Sequence, residues 1–244
     1  MKEKIYTIPV NDAYASAGPC PLCSLESTMN DNLLAYYLGP SLMEPDVRQV
    51  TNDRGFCRDH LTALYKREEN RLGLGLMLHT HTSHLLSDLG TVLDKSVPAG
   101  NARLFSGRQK DFRQNLLAAA DRVEQRIRSC VICDRLEQTM DRYLDVIFYQ
   151  YFTEPSFKKR FDDGDGYCLP HTALLLRGAA KYLNQNQAAE FVASLAAMQN
   201  KSLQTLSDDI EWFTLKFDYR NHDKDWKNSK DALPRAICKL GGAR

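Results

Sequence analysis

Eight residues of the sequence have the types and spacings of two metal-ligand sets. In chain order they are Cys20, Cys23, Cys57, His60, Cys130, Cys133, Cys168 and His171. A C-x-x-C pair is followed by a C-x-x-H pair, and this order occurs twice, with 33 and then 34 residues between the pairs. Three thiolates and one imidazole are the donors of a tetrahedral Cys3His zinc site. The sequence therefore predicts two Zn2+ ions, one for each C-x-x-C and the C-x-x-H that follows it.

Four protein donors leave no coordination position open for a substrate, so the predicted sites are structural. Two alternatives use the same residues. Iron–sulfur clusters are also held by cysteine, sometimes with histidine, and a C-x-x-C pair can act as a redox dithiol. The usual strand–helix–strand context of a thioredoxin-like dithiol is missing from the sequence, which favours metal.

The two ligand sets belong to a longer internal repeat. Residues 25–30 (LESTMN) match residues 136–141 (LEQTMD) at an offset of 111, and Gly55 and Gly166 precede their ligand cysteines at the same offset. Apolar and ligand positions that recur at one spacing indicate duplication of a structural unit. We therefore expect two pseudo-repeated helical units, each stapled by its own Cys3His site.

The apolar residues recur at helical spacing and almost nowhere alternate with period two, so the predicted fold class is all-α. The expected organisation is a first Cys3His unit over residues 1–97 and a second over residues 98–217. The second unit has a basic lead-in helix and a long final helix, and a linker spans residues 94–102. Residues 218–244 are predicted to form a C-terminal strap with a short helix. Residues 5–10 are predicted to be a short extended segment, which Pro9 would confine to an edge or a loop.

Composition excludes several classes of function. The chain has 244 residues, a hydrophobic fraction of 43% and a net charge of +1, so no overall field attracts it to nucleic acid or to an anionic membrane. No apolar run is long enough to span a bilayer, and the N-terminus has no signal-peptide pattern. Six of seven cysteines fall in the ligand sets, as expected for a protein of the reducing cytoplasm.

A second group of residues carries a weaker functional signal. His81 and His84 share a helical face near His79, and the aromatic-rich C-terminal segment contains Arg220 and Asp231. Histidine can act as a base or a metal ligand, so a pocket formed by these five residues is one hypothesis. The other interpretation gives the histidines ordinary packing and hydrogen-bonding roles.

The helical region before Cys130 is basic. Its cations are Arg103, Arg108, Lys110, Arg113, Arg122, Arg126 and Arg128. Contact with RNA or an acidic protein is one interpretation. A solvated helix face is the preferred one, because no aromatic platform for single-stranded nucleic acid accompanies the charges.

The two ligand sets resemble those of a bacterial family that is defined only as a domain of unknown function. So do the segments RLGLGLMLHTH at residues 71–81, FDYRN at 217–221 and NSKDALPRAI at 228–237. The resemblance covers nearly the whole chain. It implies a Cys/His-rich cytoplasmic helical protein, and it carries over no substrate and no catalytic residue.

Three hypotheses about function follow from these observations. The favoured one is a non-enzymatic protein with two structural zinc ions that binds a protein or a small molecule. The second is an enzyme or ligand-binding protein whose site lies between the repeats, near His79, His81 and His84. The third is a thiol-based redox or metal sensor, in which oxidation of Cys130 and Cys133 releases the ion.

Overall fold

The protein is described by a computed structural model over residues 5–16, 18–97 and 108–242, with side chains from residue 112 onward in the last range. The described residues form helices and no strand, which confirms the predicted fold class. The α-helices are α1 Thr7–Ala15, α2 Pro21–Leu38, α3 Pro45–Arg54, α4 Arg58–Lys66, α5 Arg71–Ser96, α6 Arg108–Arg128, α7 Val131–Thr153, α8 Pro155–Asp162, α9 Leu169–Tyr182, α10 Gln185–Leu215 and α11 Ala232–Gly241. Short 3-10 helices occur at Pro40–Met43 and Tyr219–Asn221.

Several helix ends follow from local sequence. Pro45 and Pro155 each occupy the first helical position, where a missing backbone N–H costs nothing. The side chain of Asn184 accepts a hydrogen bond from the backbone N–H of Gln187, whose side chain accepts one from the Asn184 N–H. This capping box begins α10. Asn70 caps α5 in a similar way, through the N–H of Gly73.

Two local predictions were wrong. The segment at residues 5–10 is not extended: α1 begins at Thr7 and places Pro9 in its first turn, where proline is tolerated. Residues 94–96 of the predicted linker continue α5, which ends at Ser96. Residues 98–102 of that linker lie outside the described part of the chain.

The chain forms two compact units. The first, which we call the discontinuous unit, comprises Met1–Met29 and Gln138–Arg244. The second, the inserted unit, is the continuous stretch Asn30–Glu137. The division falls inside α2 and inside α7, so each of these helices contributes residues to both units. The repeat at an offset of 111 stays a prediction, as do the domain boundaries that were drawn from it.

The discontinuous unit has a large aromatic core. Phe161, Phe191 and Tyr151 are buried, with ring centroids 5.0 to 5.1 Å apart in tilted or edge-on geometry. Such pairs stabilise a core beyond the burial of their surface. Cys20, Cys23 and Cys168 belong to the same buried cluster. The apolar core therefore encloses three of the predicted metal ligands.

The inserted unit is held together by packing of α5 against α3 and α6. Asp88 on α5 accepts hydrogen bonds from Arg122 Nη2 at 2.8 Å and from Arg126 Nε at 2.7 Å, both on α6. Tyr37 and Phe56, both buried, meet edge-on with ring centroids 5.7 Å apart. Phe56 directly precedes Cys57, so this contact fixes the segment that carries the ligands at the start of α4.

Candidate metal centres

The eight predicted ligands form two groups. Centre 1 contains Cys20, Cys23, Cys168 and His171, and centre 2 contains Cys57, His60, Cys130 and Cys133. Within each group the four donor atoms lie within 4.8 Å of one another. Each centre therefore combines three thiols and one imidazole, as a Cys3His metal site requires.

This grouping corrects the predicted pairing. Each C-x-x-C was expected to share an ion with the C-x-x-H that follows it in its own half. Instead, the C-x-x-C of each half joins the C-x-x-H of the other half. The physical reason is helix length: after Cys23 the chain continues along the 18-residue helix α2, on the order of 27 Å long. The later part of α2 belongs to the inserted unit, and Cys57 and His60 belong to the same unit, whereas Cys20 and Cys23 belong to the discontinuous unit.

The distances in centre 1 fit a tetrahedral ion. His171 Nδ1 lies 3.1 Å from Cys168 Sγ, 3.4 Å from Cys23 Sγ and 3.6 Å from Cys20 Sγ. Cys23 Sγ lies 3.6 Å from Cys168 Sγ. A tetrahedral zinc ion has edges of about 3.8 Å between two sulfurs and about 3.5 Å between sulfur and nitrogen. A disulfide would need about 2.05 Å.

The ligands of centre 1 lie at the N-terminal ends of α2 and α9. Cys20 precedes α2, Cys23 lies in its first turn, Cys168 caps α9, and His171 is the third residue of α9. Partial positive charge at the helix N-termini favours the thiolates. The same design recurs in centre 2, where Cys130 precedes α7, Cys133 lies in the first turn of α7, and α4 begins between Cys57 and His60.

A buried amide fixes the loop before Cys168. Gln199 on α10 accepts a hydrogen bond from Tyr167 N at 3.0 Å and donates one to Tyr167 O at 2.8 Å. Gly166 has φ of 82°, and a Cβ there would lie 2.8 Å from Gln199 Oε1. Only glycine fits this conformation without strain. The loop therefore presents Cys168 in one orientation.

Centre 2 has similar distances. His60 Nδ1 lies 3.2 Å from Cys57 Sγ, 3.2 Å from Cys130 Sγ and 3.4 Å from Cys133 Sγ. Cys57 Sγ and Cys133 Sγ are 3.8 Å apart. The backbone N–H of Val131 donates to Gly55 O at 3.0 Å and joins the two ligand segments directly. These distances also fit the edges of a tetrahedral zinc site.

Both histidines are oriented by a second side chain from α2. His171 Nε2 lies 3.3 Å from Glu26 Oε2, and His60 Nε2 lies 3.0 Å from Asn30 Oδ1. A metal-bound imidazole usually donates its other N–H to such an oxygen, which fixes the tautomer and the ring orientation. Both centres thus leave Nδ1 as the nitrogen that faces the sulfurs.

The centres differ in exposure. All four ligands of centre 1 are buried, with Cys20 at 2% and Cys168 at 1% of full exposure. In centre 2, Cys130 is fully buried, whereas Cys57 is half-buried and Cys133 is exposed. The two donor sets have the same composition, but centre 1 is buried and centre 2 is partly exposed to solvent.

The surroundings of centre 1 favour an ionised Cys20 thiol and a protonated His171 imidazole in the absence of metal. Hydrogen bonds from Cys168 and Cys23 hold the pKa of the Cys20 thiol far below its usual range. Burial lowers the pKa of His171, but its hydrogen bonds with Cys168 and Cys20 outweigh this effect and raise that pKa to about 11. In centre 2, burial raises the pKa of the Cys130 thiol and lowers that of His60. Cys133 is exposed as a residue, but partial desolvation of its sulfur beside Cys130 raises its pKa as well. A Cys3His site needs thiolates and a neutral imidazole, so metal binding in either centre is coupled to release of protons from the ligands.

A cavity of about 480 Å³ borders centre 1. Its lining includes Cys20, Cys168 and Cys238, the one cysteine that belongs to neither ligand set. It also includes Lys239, which is 8% exposed and donates to Ser202 Oγ at 2.7 Å and to Asp165 O at 3.3 Å. Burial lowers the pKa of Lys239, while the charges of Cys20 and Cys168 act in the opposite direction. No carboxylate forms an ion pair with Lys239 among the residues that the structure describes.

The histidine cluster has contacts of a structural kind. His81 Nδ1 lies 2.8 Å from the backbone oxygen of Asn52, and its ring covers Gly55, where a Cβ would lie 2.4 Å away. His79 and His84 are exposed, and His84 borders a surface depression of about 430 Å³ with Asn52 and Arg54. The cluster belongs to the inserted unit.

The two predicted pocket residues of the C-terminal segment lie in the discontinuous unit. Arg220 is paired with Asp218 at 2.6 Å, and Asp231 with Arg235 at 3.0 Å. The fold of this segment depends instead on Lys216, a buried ammonium that donates to the backbone oxygens of Asn221, His222 and Lys224. A pocket that combines these residues with the histidines stays a prediction.

The basic region is partly neutralised within the inserted unit. Arg122 and Arg126 bind Asp88, and Arg128 lies 3.2 Å from Glu124. Arg103 lies outside the described residues, and so do the side chains of Arg108 and Lys110. Arg122 and Arg126 therefore join α6 to α5, whereas Arg113 and Arg128 are exposed. The solvated helix face stays a prediction.

Sequence reasoning missed the residues that support the ligands, namely Glu26, Asn30, Gln199 and Lys239. A signal existed for the first two, because helix positions three or four apart share a face: Glu26 follows Cys23 by three residues, and Asn30 follows Glu26 by four. Gln199 and Lys239 lie far from the ligands in sequence, so no local pattern identifies them.

The fold and the sites define an all-helical protein with two Cys3His groups that could each hold a metal ion. The chain belongs to a family of unknown function, DUF6062, whose model matches residues 1–244. Comparison with curated proteins and with solved structures finds no match. The family confirms the resemblance inferred from the motifs, and it supplies no activity.

In the described part of the chain, no helix combines the length and the apolar character needed to cross a bilayer.

Proposed function

We propose that both centres bind Zn2+ as structural ions. One observation carries the proposal: four protein donors in each centre lie at the edge lengths of a zinc tetrahedron. The oxygens of Glu26 and Asn30 on the second histidine nitrogens support it. Zinc is preferred over an iron–sulfur cluster because the closed donor set accommodates a single ion and leaves no room for bridging sulfides.

The proposed biochemical role is that of a non-enzymatic binding protein. A four-coordinate ion has no open position for a reacting group, so neither centre supplies Lewis-acid chemistry. The cavity beside centre 1 has the volume of a small-molecule site. The Lys239 ammonium and the Ser202 hydroxyl on its wall suit a ligand with a hydrogen-bond-accepting group. We propose a cytoplasmic location, because cysteine ligands to zinc persist in a reducing compartment.

Elemental analysis and native mass spectrometry of the full chain test the metal assignment. The expected result is about two zinc ions per chain, bound by six cysteines and two histidines. Iron with visible absorbance would overturn the zinc assignment, and a metal-free protein with the same melting temperature would overturn the structural role.

A thermal-shift screen with small molecules tests the binding role. Thr205 lies on the cavity wall and is exposed, so Thr205→Phe should fill the cavity without disturbing the core. A ligand that stabilises the native chain should lose its effect on Thr205→Phe, while the zinc content stays at two ions. Turnover of such a ligand would instead support the enzyme hypothesis.

A further inference from the structure

We infer that Cys133 is a site of reversible oxidation, at which a peroxide converts centre 2 into a disulfide and releases its ion. The inference rests on the proposed zinc occupancy of centre 2. It assigns to centre 2 a reactivity that centre 1, with the same donor set, does not share.

The sulfur of centre 2 that solvent reaches most readily belongs to Cys133. Cys133 is the exposed ligand of centre 2. Its backbone N–H points to Cys130 Sγ, so the residue is held at the cluster while it stays open to solvent. Oxidation of cysteine follows thiolate character and exposure. A zinc ion holds its cysteine ligands as thiolates, so Cys133 combines both properties.

The surroundings of centre 1 oppose the same reaction. Its cysteines are 1 to 5% exposed, although the cavity borders three of them. Three thiolates and Zn2+ leave one net negative charge, and the buried ammonium of Lys239 lies at the same cavity wall. A nearby cation stabilises thiolates and makes them weaker nucleophiles. Centre 1 should therefore react more slowly than centre 2.

A partner for Cys133 is within reach. Cys57 Sγ lies 3.8 Å away, and all donor atoms of centre 2 lie within 4.8 Å. A disulfide needs about 2.05 Å between sulfurs, so one sulfur must move by about 2 Å. Cys57 caps α4 and Cys133 lies in the first turn of α7. Formation of the bond therefore requires movement at these two helix ends.

Hydrogen peroxide is the oxidant that converts two thiolates of centre 2 into a disulfide. The Cys133 thiolate attacks one peroxide oxygen, the O–O bond breaks, and a sulfenic acid and hydroxide form. A second thiolate of centre 2 attacks the sulfenic sulfur, the S–O bond breaks, and a second hydroxide leaves. Two protons convert the hydroxides to water. The two sulfurs lose two electrons, which the peroxide gains.

Loss of two thiolate donors releases the ion from centre 2. The remaining cysteine and His60 cannot hold zinc at the affinity of four donors. Centre 1 keeps its ligands, because all of them belong to the discontinuous unit and those of centre 2 to the inserted unit. The oxidised chain should therefore carry one ion, and reduction in the presence of zinc should restore the second.

The experiment treats the zinc-loaded full chain with a small excess of hydrogen peroxide and follows free zinc with a chromogenic chelator. The expected result is release of one of two ions per chain, with a disulfide between Cys133 and another centre 2 thiol in the peptide map. Fewer than two ions before oxidation would refute the zinc proposal itself, independently of this step.

Two variants make the result specific. Cys133→His keeps four donors and removes the exposed thiolate, so this variant should bind two ions and lose neither to peroxide. Cys238→Ser removes the thiol outside both centres and should behave like the native chain. Release of both ions at one rate, no release, or release while Cys133 stays reduced would each overturn the inference.

Discussion

At the scale of single residues, the geometry of centre 1 depends on groups that are not ligands. Gly166 is the sharpest case, since its φ of 82° and the Gln199 oxygen leave no space for a side chain. We expect Gly166→Ala to lower the free energy of unfolding by about 1–3 kcal/mol, because alanine is strained in this conformation and its Cβ displaces Gln199. Chemical denaturation of the zinc-loaded protein measures the effect.

Gly75 provides the matched control for that substitution. It lies in the interior of α5, and a Cβ there would meet no atom within 4 Å. Gly75→Ala should therefore stabilise the protein by about 0.5–1 kcal/mol, through helix propensity alone. If both variants unfold like the native chain, the loop at Gly166 does not constrain Cys168.

Among the single residues, the ligands could be predicted from the sequence, but their pairing and their supporting groups could not. The eight ligands were evident because thiols and imidazoles at i and i+3 have few other common roles. Their pairing was not, because the two C-x-x-C pairs are chemically equivalent and only the path of the chain distinguishes them. Gln199 and Lys239 approach Gly166 from positions 33 and 73 residues further along the chain. That approach depends on tertiary packing.

At the scale of elements, the α5–α6 pair is joined by a carboxylate between two guanidinium groups. Arg122 holds the pKa of Asp88 below its usual range. A lowered carboxyl pKa contributes stability above the unfolded value of about 3.9 and loses it as the pH falls through the folded value. We expect Asp88→Asn to cost about 1 kcal/mol, equally at pH 6 and pH 8, and less in 1 M salt.

Asp94 on the same helix is the comparison for Asp88→Asn. No ion pair to Asp94 occurs in the described ranges, and a negative charge near a helix C-terminus is unfavourable. Asp94→Asn should leave the melting temperature unchanged or slightly raise it. Equal losses in the two variants would show that the Asp88 pairs do not stabilise the contact.

Helix length decided which helices could be predicted from the sequence. The basic lead-in helix α6 and the long final helix α10 were predicted, since their apolar stripes repeat over several turns. Helix α1 was not, because nine residues give too few turns for periodicity and Pro9 suggested an extended segment. Tyr6 packs edge-on against Tyr143, with ring centroids 5.4 Å apart, and this tertiary contact fixes the chain just before the helix begins.

At the scale of the whole molecule, the exchanged pairing would make each proposed ion the staple of one compact unit. Centre 1 closes the discontinuous unit by joining Cys23 to Cys168 across 145 residues. Centre 2 lies entirely in the inserted unit. Cys168→Ser should therefore lower the stability of the first unit by several kcal/mol and leave one ion bound. Zinc content and thermal melting measure both effects.

Double variants distinguish the two pairings directly. Cys23→Ser with Cys168→Ser removes two ligands of centre 1, so about one ion per chain should remain. Cys23→Ser with Cys57→Ser removes one ligand from each centre, so both ions should be lost or bound much more weakly. Pairing within each half of the sequence would exchange these results, because Cys23 and Cys57 would then share one ion. Zinc counted by native mass spectrometry at equal protein concentration decides between the two arrangements.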